Sequence, residues 1–271
     1  MVVSVSKRAQ SEAKEPPSQC TFCDNIAASP EHLWPRWMAK HFPRGAHDYS
    51  EEISHRFHPN PQIEPTIRRR HGHPITQAPK VVCRLCNNGW MSGLETPAKR
   101  WLEPMLLGQS VVLNTEAQRD LLHWIVLKLM VFERRPASKA AFTRESAFRF
   151  KADRTLPSNL SIDLIHTTDD RLRSVIHRES GAVPPDADPG ISLISTNLQA
   201  VVFCIGQLVV YARHAQLENL NFRPFSTDFS SPLWPDPIGP LTWPPQISLT
   251  FDEIEYLKGG MGRFFANMTP V

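Results

Sequence analysis

Two CxxC pairs constrain this chain more than any other feature. Cys20-Thr-Phe-Cys23 and Cys83-Arg-Leu-Cys86 are separated by 59 residues. Two residues between thiols let one tight turn aim both sulfurs at one ion, so two such pairs are expected to form a single tetrahedral zinc site. That site would tie residue 20 to residue 86 and oblige the long segment between them to leave and return. The opening stretch, MVVSVSKRAQSEAKEPPS, has no continuous apolar run. No signal peptide is therefore expected, and the cytoplasm is the expected compartment. Thiols stay reduced there, and paired cysteines serve metals more often than disulfides. The fifth cysteine, Cys204, lies in the apolar run AVVFCIG and reads as a small core residue.

The expected organisation has three parts. Residues 1–17 are rich in Ser, Lys, Glu and Pro and read as a disordered tail. Residues 18–108 carry the cysteine pairs, and residues 109–271 form an α+β C-terminal region. No apolar run reaches the length of a membrane-spanning helix, so no membrane association is expected. Charge is unevenly spread. Residues 32–100 carry eleven Lys/Arg against five Asp/Glu, a net of +6, whereas residues 151–271 carry nine against thirteen, a net of −4. The positive field falls on the cysteine region, where a polyanion would be attracted. Arg68-Arg69-Arg70 is its densest part, and on a strand Arg68 and Arg70 share one face.

Periodicity places the remaining elements. RWMAKHF suggests a short helix, and ISHRF and PTIRRRH suggest extended pieces within a segment rich in Pro and His. A helix is expected to start at Asn87 or Asn88, with Asn as its cap. On it Asn87, Met91 and Glu95 would share a face at i, i+4 and i+8. Thr115-Glu-Ala-Gln118 has the pattern of a capping box and leads a long helix to about Arg135 that is apolar almost all round, hence buried. SAFRFKA, LSIDLIHT, RLRSVIH and ISLIST read as short strands, and AVVFCIGQLVVYAR as a hairpin turning at Ile205-Gly206-Gln207. Together these predict an antiparallel sheet packed on the long helix. The proline-rich stretch 223–248 is expected to wrap around this core, and Thr250…Glu253 to cap a last short helix.

Between the cysteine pairs stands Ser29-Pro30-Glu31-His32-Leu33-Trp34-Pro35. A carboxylate next to a histidine on an extended segment can serve one metal and one proton. The order CxxC, acid-His followed by a hydrophobic residue and proline, then CxxC-Asn resembles the HNH (ββα-metal) endonucleases in their zinc-containing form. The resemblance covers residues 18–108. Glu31 stands where Asp is commoner, and Thr76-Gln77-Ala78 where that family usually has its middle Asn.

The resemblance implies a role for each matching position. His32 would be the general base that takes a proton from the attacking water. Glu31 and Asn87 would hold one Mg²⁺ or Mn²⁺ through oxygen. Cys20, Cys23, Cys83 and Cys86 would hold a Zn²⁺ that only fixes geometry. Arg36, Lys40, Arg68, Arg69 and Arg70 would contact phosphates of a nucleic acid, DNA being the expected substrate. Outside the resemblance, residues 109–271 have no readable chemistry, and homo-oligomerisation or a partner protein is the expected use of that region. Two other readings stand beside this one: a non-catalytic zinc module that binds nucleic acid or protein, and a structural zinc domain in an unrelated enzyme.

Overall fold

The computed structural model describes residues 18–41, 49–57, 68–72, 76–133, 141–170, 174–182, 197–216, 222, 225–235 and 239–260. The expected tail, residues 1–17, and the expected strand ISLIST lie outside them. A 3₁₀ helix (Arg36–His41) is followed by β1 (Tyr49–Phe57) and β2 (Arg68–Gly72). Next come α1 (Arg84–Cys86), a π-helical turn (Asn87–Met91) and α2 (Ser92–Leu106). The chain continues through β3 (Val111–Leu113), α3 (Thr115–Glu133), α4 (Arg144–Asp153), β4 (Leu160–His166), β5 (Ser174–Ala182), β6 (Leu198–Ile205), β7 (Leu208–Ala215), β8 (Ser230–Trp234), β9 (Leu241–Trp243) and α5 (Phe251–Lys258). Among the described residues, no helix is long and apolar enough to cross a membrane.

The fold is α+β. Seven strands form one sheet in the order β2-β1-β5-β6-β7-β4-β8. Pairing is antiparallel except between β1 and β5, which run parallel with Ser50 opposite Val175 and Phe57 opposite Ala182. The purely antiparallel sheet expected from sequence is thus corrected at one junction. It arises because β1 comes from the segment between the cysteine pairs, and no hairpin connects it to β5. β6 and β7 do form the expected hairpin. Its two-residue turn is Gly206-Gln207, and Gly206 has φ +59. Glycine at the first turn position with positive φ is the geometry of a type II′ turn.

Strand alternation sorts the central residues into two cores. Ile162, Leu164, Val201, Phe203, Ile205, Leu208 and Val210 join the core shared with α2 and α3. Ile165, Ala200, Val202, Cys204, Val209 and Tyr211 face the other way, against Phe225, Phe229, Leu249 and Ile254. Both faces are covered, which is why β4 and β6 are buried along their whole length. The proline-rich wrap supplies the second cover. It is pinned at His166, whose Nδ1 lies 2.6 Å from Ser248 Oγ and whose Nε2 lies 2.9 Å from Gln207 Oε1. The expected capping box at Thr250 and Glu253 is present and opens α5.

Three local expectations are corrected. SAFRFKA is helical, within α4, not a strand. Thr143 Oγ1 accepts from Ser146 N to cap it, and Ala147 and Phe150 are its buried side. The helix after the second cysteine pair begins at Arg84, with Cys83 as its cap, because the Cys83 sulfur accepts from Cys86 N. The cap of α3 is Asn114, one residue before Thr115: its Oδ1 accepts from Ala117 N at 2.9 Å. Gln118 instead donates to the carbonyls of Leu113 and Gly239. α3 itself is buried as expected, with Trp124, Ile125, Val126 and Val131 fully enclosed.

Candidate metal centre and adjoining cavity

The four cysteines converge. Their sulfurs all lie within 4.8 Å of one another, and Cys23 Sγ is 3.6 Å from Cys83 Sγ and 3.7 Å from Cys86 Sγ. A tetrahedral ion with Zn–S bonds of about 2.3 Å sets its sulfurs about 3.8 Å apart, so the cluster fits one zinc ion. Each pair sits on a tight turn. Cys20 N donates to Asn25 O, and Phe22 N to Cys20 Sγ. Thr21 N donates to Val81 O and brings the first turn against the second. From α4, Arg144 adds hydrogen bonds to the carbonyls of Cys20 and Cys23 and to Asp24.

Burial raises the thiol pKa of Cys20, and raises that of Cys86 to about 12. At Cys83 burial also opposes ionisation, but hydrogen bonds, led by the Cys86 N–H, outweigh it and bring the thiol down to about 7. Four sulfurs this close, and mostly buried, cannot all ionise side by side without a cation between them. A bound Zn²⁺ would supply that cation.

The Glu31-His32 segment is held next to this cluster. Ser29 N donates to Val82 O, Glu31 N to Pro79 O and Leu33 N to Gln77 O, so residues 29–33 run antiparallel to 77–82. The returning strand then enters α1 through Cys83. Gln77, which stands where the resembled family usually has Asn, thus holds the segment through its backbone carbonyl. The next residue pair anchors it further. Leu33 and Trp34 wedge between α3 and the sheet beside Leu129, Phe132 and Val201, and Trp34 meets Phe203 edge-on at 5.4 Å. Enclosing an indole of roughly 200 Å² stabilises this docking by about 5 kcal/mol before entropy.

A cavity of about 330 Å³ opens beside the segment. Glu31, Asn87, Met91 and Glu95 are among its lining residues, together with Trp37, Ser92, Thr96 and Lys99. The expected face Asn87, Met91, Glu95 therefore turns toward one space, although the helix is broken at Gly89. Asn87 Nδ2 donates to Ser29 Oγ at 2.9 Å and to Pro30 O at 3.0 Å, so the amide oxygen is the atom that could ligate a metal. His32 is not among the lining residues but is half-buried next to them, and its Nε2 accepts from Arg36 Nε at 3.2 Å.

The remaining expected site residues are dispersed. Lys40 forms an ion pair with Glu103, which His41 also contacts. Arg68–Arg70 lie on β2, the edge strand of the sheet, where Arg70 is opposite Glu51 and Arg69 opposite Glu52. Their side chains lie outside the described residues.

One residue is missed by the sequence reading. Lys128, from the middle of α3, puts its ammonium 2.5 Å from Glu31 Oε1, 2.8 Å from the His32 carbonyl and 3.9 Å from Glu95 Oε2. Its signal in the sequence is a single lysine within HWIVLKLMVF, because a charge on a helix that is apolar all round must find a buried partner. The oxygen donors of Glu31, Asn87 and Glu95 are hard ligands of the kind Mg²⁺ and Mn²⁺ prefer. No family model, curated protein or solved structure matches the chain.

Proposed function

We propose that the chain is a metal-dependent endonuclease that hydrolyses phosphodiester bonds in DNA. One observation carries the reading. Glu31 and Asn87, brought from separate segments by the antiparallel pair and the helix after it, line one cavity with His32 alongside, next to a four-cysteine cluster that fits zinc. His32 acts as the general base. It accepts a proton at Nε2 from the attacking water, which must take the place of the Arg36 guanidinium there. Displaced from the ring, Arg36 is free to pair with a phosphate of the substrate. Glu31 and the Asn87 oxygen would hold Mg²⁺ or Mn²⁺, which would supply polarisation of the scissile phosphate and stabilisation of the leaving oxygen. A zinc ion in the cysteine cluster would fix the relative positions of the Glu31 segment and the Asn87 helix.

A second reading has its own observation. Glu31 is already ion-paired with Lys128, a purely structural role that a non-catalytic zinc module binding nucleic acid or protein would account for. Supercoiled plasmid incubated with the protein and Mg²⁺ or Mn²⁺, with EDTA as control and His32→Ala alongside, separates the two. Metal-dependent nicking that is lost in His32→Ala, with zinc content unchanged, is the expected result. Equal nicking by both proteins, or none by either across duplex and single-stranded DNA, would overturn the nuclease reading.

A further inference from the structure

We propose that Lys128 is a positioning residue of the cavity, which orients the Glu31 carboxylate and sets how tightly the cavity binds a divalent cation. The proposal rests on the metal-dependent reading of the same site.

The ammonium meets three groups of that site. It is 2.5 Å from Glu31 Oε1, 2.8 Å from the His32 carbonyl and 3.9 Å from Glu95 Oε2. Its side chain is 4 % exposed and that of Glu31 is 9 % exposed, so water does little to screen the pair. Lys128 belongs to α3, outside the antiparallel pair and helix that carry the cysteines, Glu31 and Asn87. A helix from beyond residue 108 thus fixes both halves of the Glu31-His32 dipeptide, one through a carboxylate and one through a backbone carbonyl.

Two opposed consequences follow for a cation. The hydrogen bond to Oε1 fixes the carboxylate rotamer, which leaves Oε2 as its other donor atom. The positive charge, meanwhile, repels any divalent ion bound to the same carboxylate. Lys128 therefore favours correct placement at the expense of affinity. Removing the charge should tighten cation binding while slowing the reaction, because a freed carboxylate binds the ion in several arrangements of which few are productive. A lysine that merely fills the core would have a different signature: its loss would weaken both properties together or change neither.

The test uses the full chain with zinc bound and reads Mn²⁺ binding by electron paramagnetic resonance, separately from plasmid nicking. In Lys128→Met and Lys128→Gln, Mn²⁺ affinity is expected to rise about tenfold or more, and nicking to fall by about tenfold or more. Lys128→Arg keeps the charge and is expected to keep Mn²⁺ affinity near that of the unmodified chain. If Lys128→Met does not fold, Lys128→Gln, a polar but uncharged side chain one bond shorter than lysine, carries the comparison. Unchanged or weaker Mn²⁺ binding in the neutral variants overturns the proposal, as does an unmodified chain that binds no Mn²⁺ beyond its zinc. Mn²⁺ binding by a chain that cuts no DNA would overturn the nuclease reading alone, and the affinities would still decide the role of Lys128.

Discussion

The Lys128 ammonium lies 2.5 Å from Glu31 Oε1, an ion pair between residues 97 positions apart that is enclosed on both sides. Desolvating two charges is costly, and such a pair need not exceed an apolar pair in stability. Breaking it is another matter, because one charge then stays buried without a partner. Lys128→Met alone is therefore expected to destabilise the chain by about 3–5 kcal/mol in urea unfolding. Glu31→Gln combined with Lys128→Met is expected to recover most of that loss. A single variant as stable as the unmodified chain would mean that the pair does not form.

The four-cysteine cluster predicts one zinc per chain and a strong dependence of folding on it. Structural zinc sites contribute apparent binding free energies on the order of 10 kcal/mol, much of it realised as folding. Cys86→Ser is expected to lose the ion and to lower the melting temperature sharply. Replacing zinc by Co²⁺ is expected to give the visible absorption of a tetrahedral thiolate site, weakened in the serine variant. Zinc content unaffected by Cys86→Ser would remove that residue from the ligand set.

The four-cysteine cluster is legible in the sequence because its spacing is local: each pair needs only one turn, and the turn is written in two residues. The β6–β7 hairpin is legible for the same reason, since Gly206 allows the turn and both flanking runs are apolar. Lys128 is not, because its partner lies in an extended segment placed by tertiary packing, and nothing near it in sequence names that partner. The parallel pairing of β1 with β5 is hidden likewise, being a contact between segments far apart in the chain. α4 looks like a strand because Phe148 and Phe150 alternate as strand residues do. The Thr143 cap and the spacing of Ala147 and Phe150 decide for a helix. At α3 two adjacent residues, Asn114 and Thr115, both suit a cap, and a pattern alone does not choose between them.

Gly206 offers a test of how α2 meets the sheet. A Cβ built there would lie 2.3 Å from the Leu106 carbonyl oxygen, the same oxygen that accepts from Gln207 N. Gly206→Ala thus adds a backbone clash to the strain of a positive φ, which by itself costs about 1–3 kcal/mol. Gly239 has φ +75, but among the described residues a Cβ there meets nothing within 4 Å. Gly239→Ala is expected to show the strain alone, and Gly206→Ala a clearly larger loss in the same unfolding assay. Equal losses would mean that the end of α2 does not rest on the hairpin turn.

His214 makes stability depend on pH. It is buried in β7 and stacked on Phe142 with ring centroids 4.2 Å apart, and burial pushes its pKa down to about 3 from the usual value of about 6.5. Between these two values the unfolded chain binds a proton at His214 and the folded chain does not. Stability is therefore fully present above about pH 6.5 and falls on acidification, with a slope from this residue of about 1.4 kcal/mol per pH unit. Carboxylates titrate in the lower part of the same range, so the difference between proteins is the informative quantity. His214→Phe keeps an aromatic ring against Phe142 and removes the titrating group. Urea unfolding between about pH 6.5 and 5 is expected to show a shallower pH dependence in His214→Phe, by close to one proton. Parallel curves for the two proteins would mean that His214 takes up its proton in the folded state as readily as in the unfolded one.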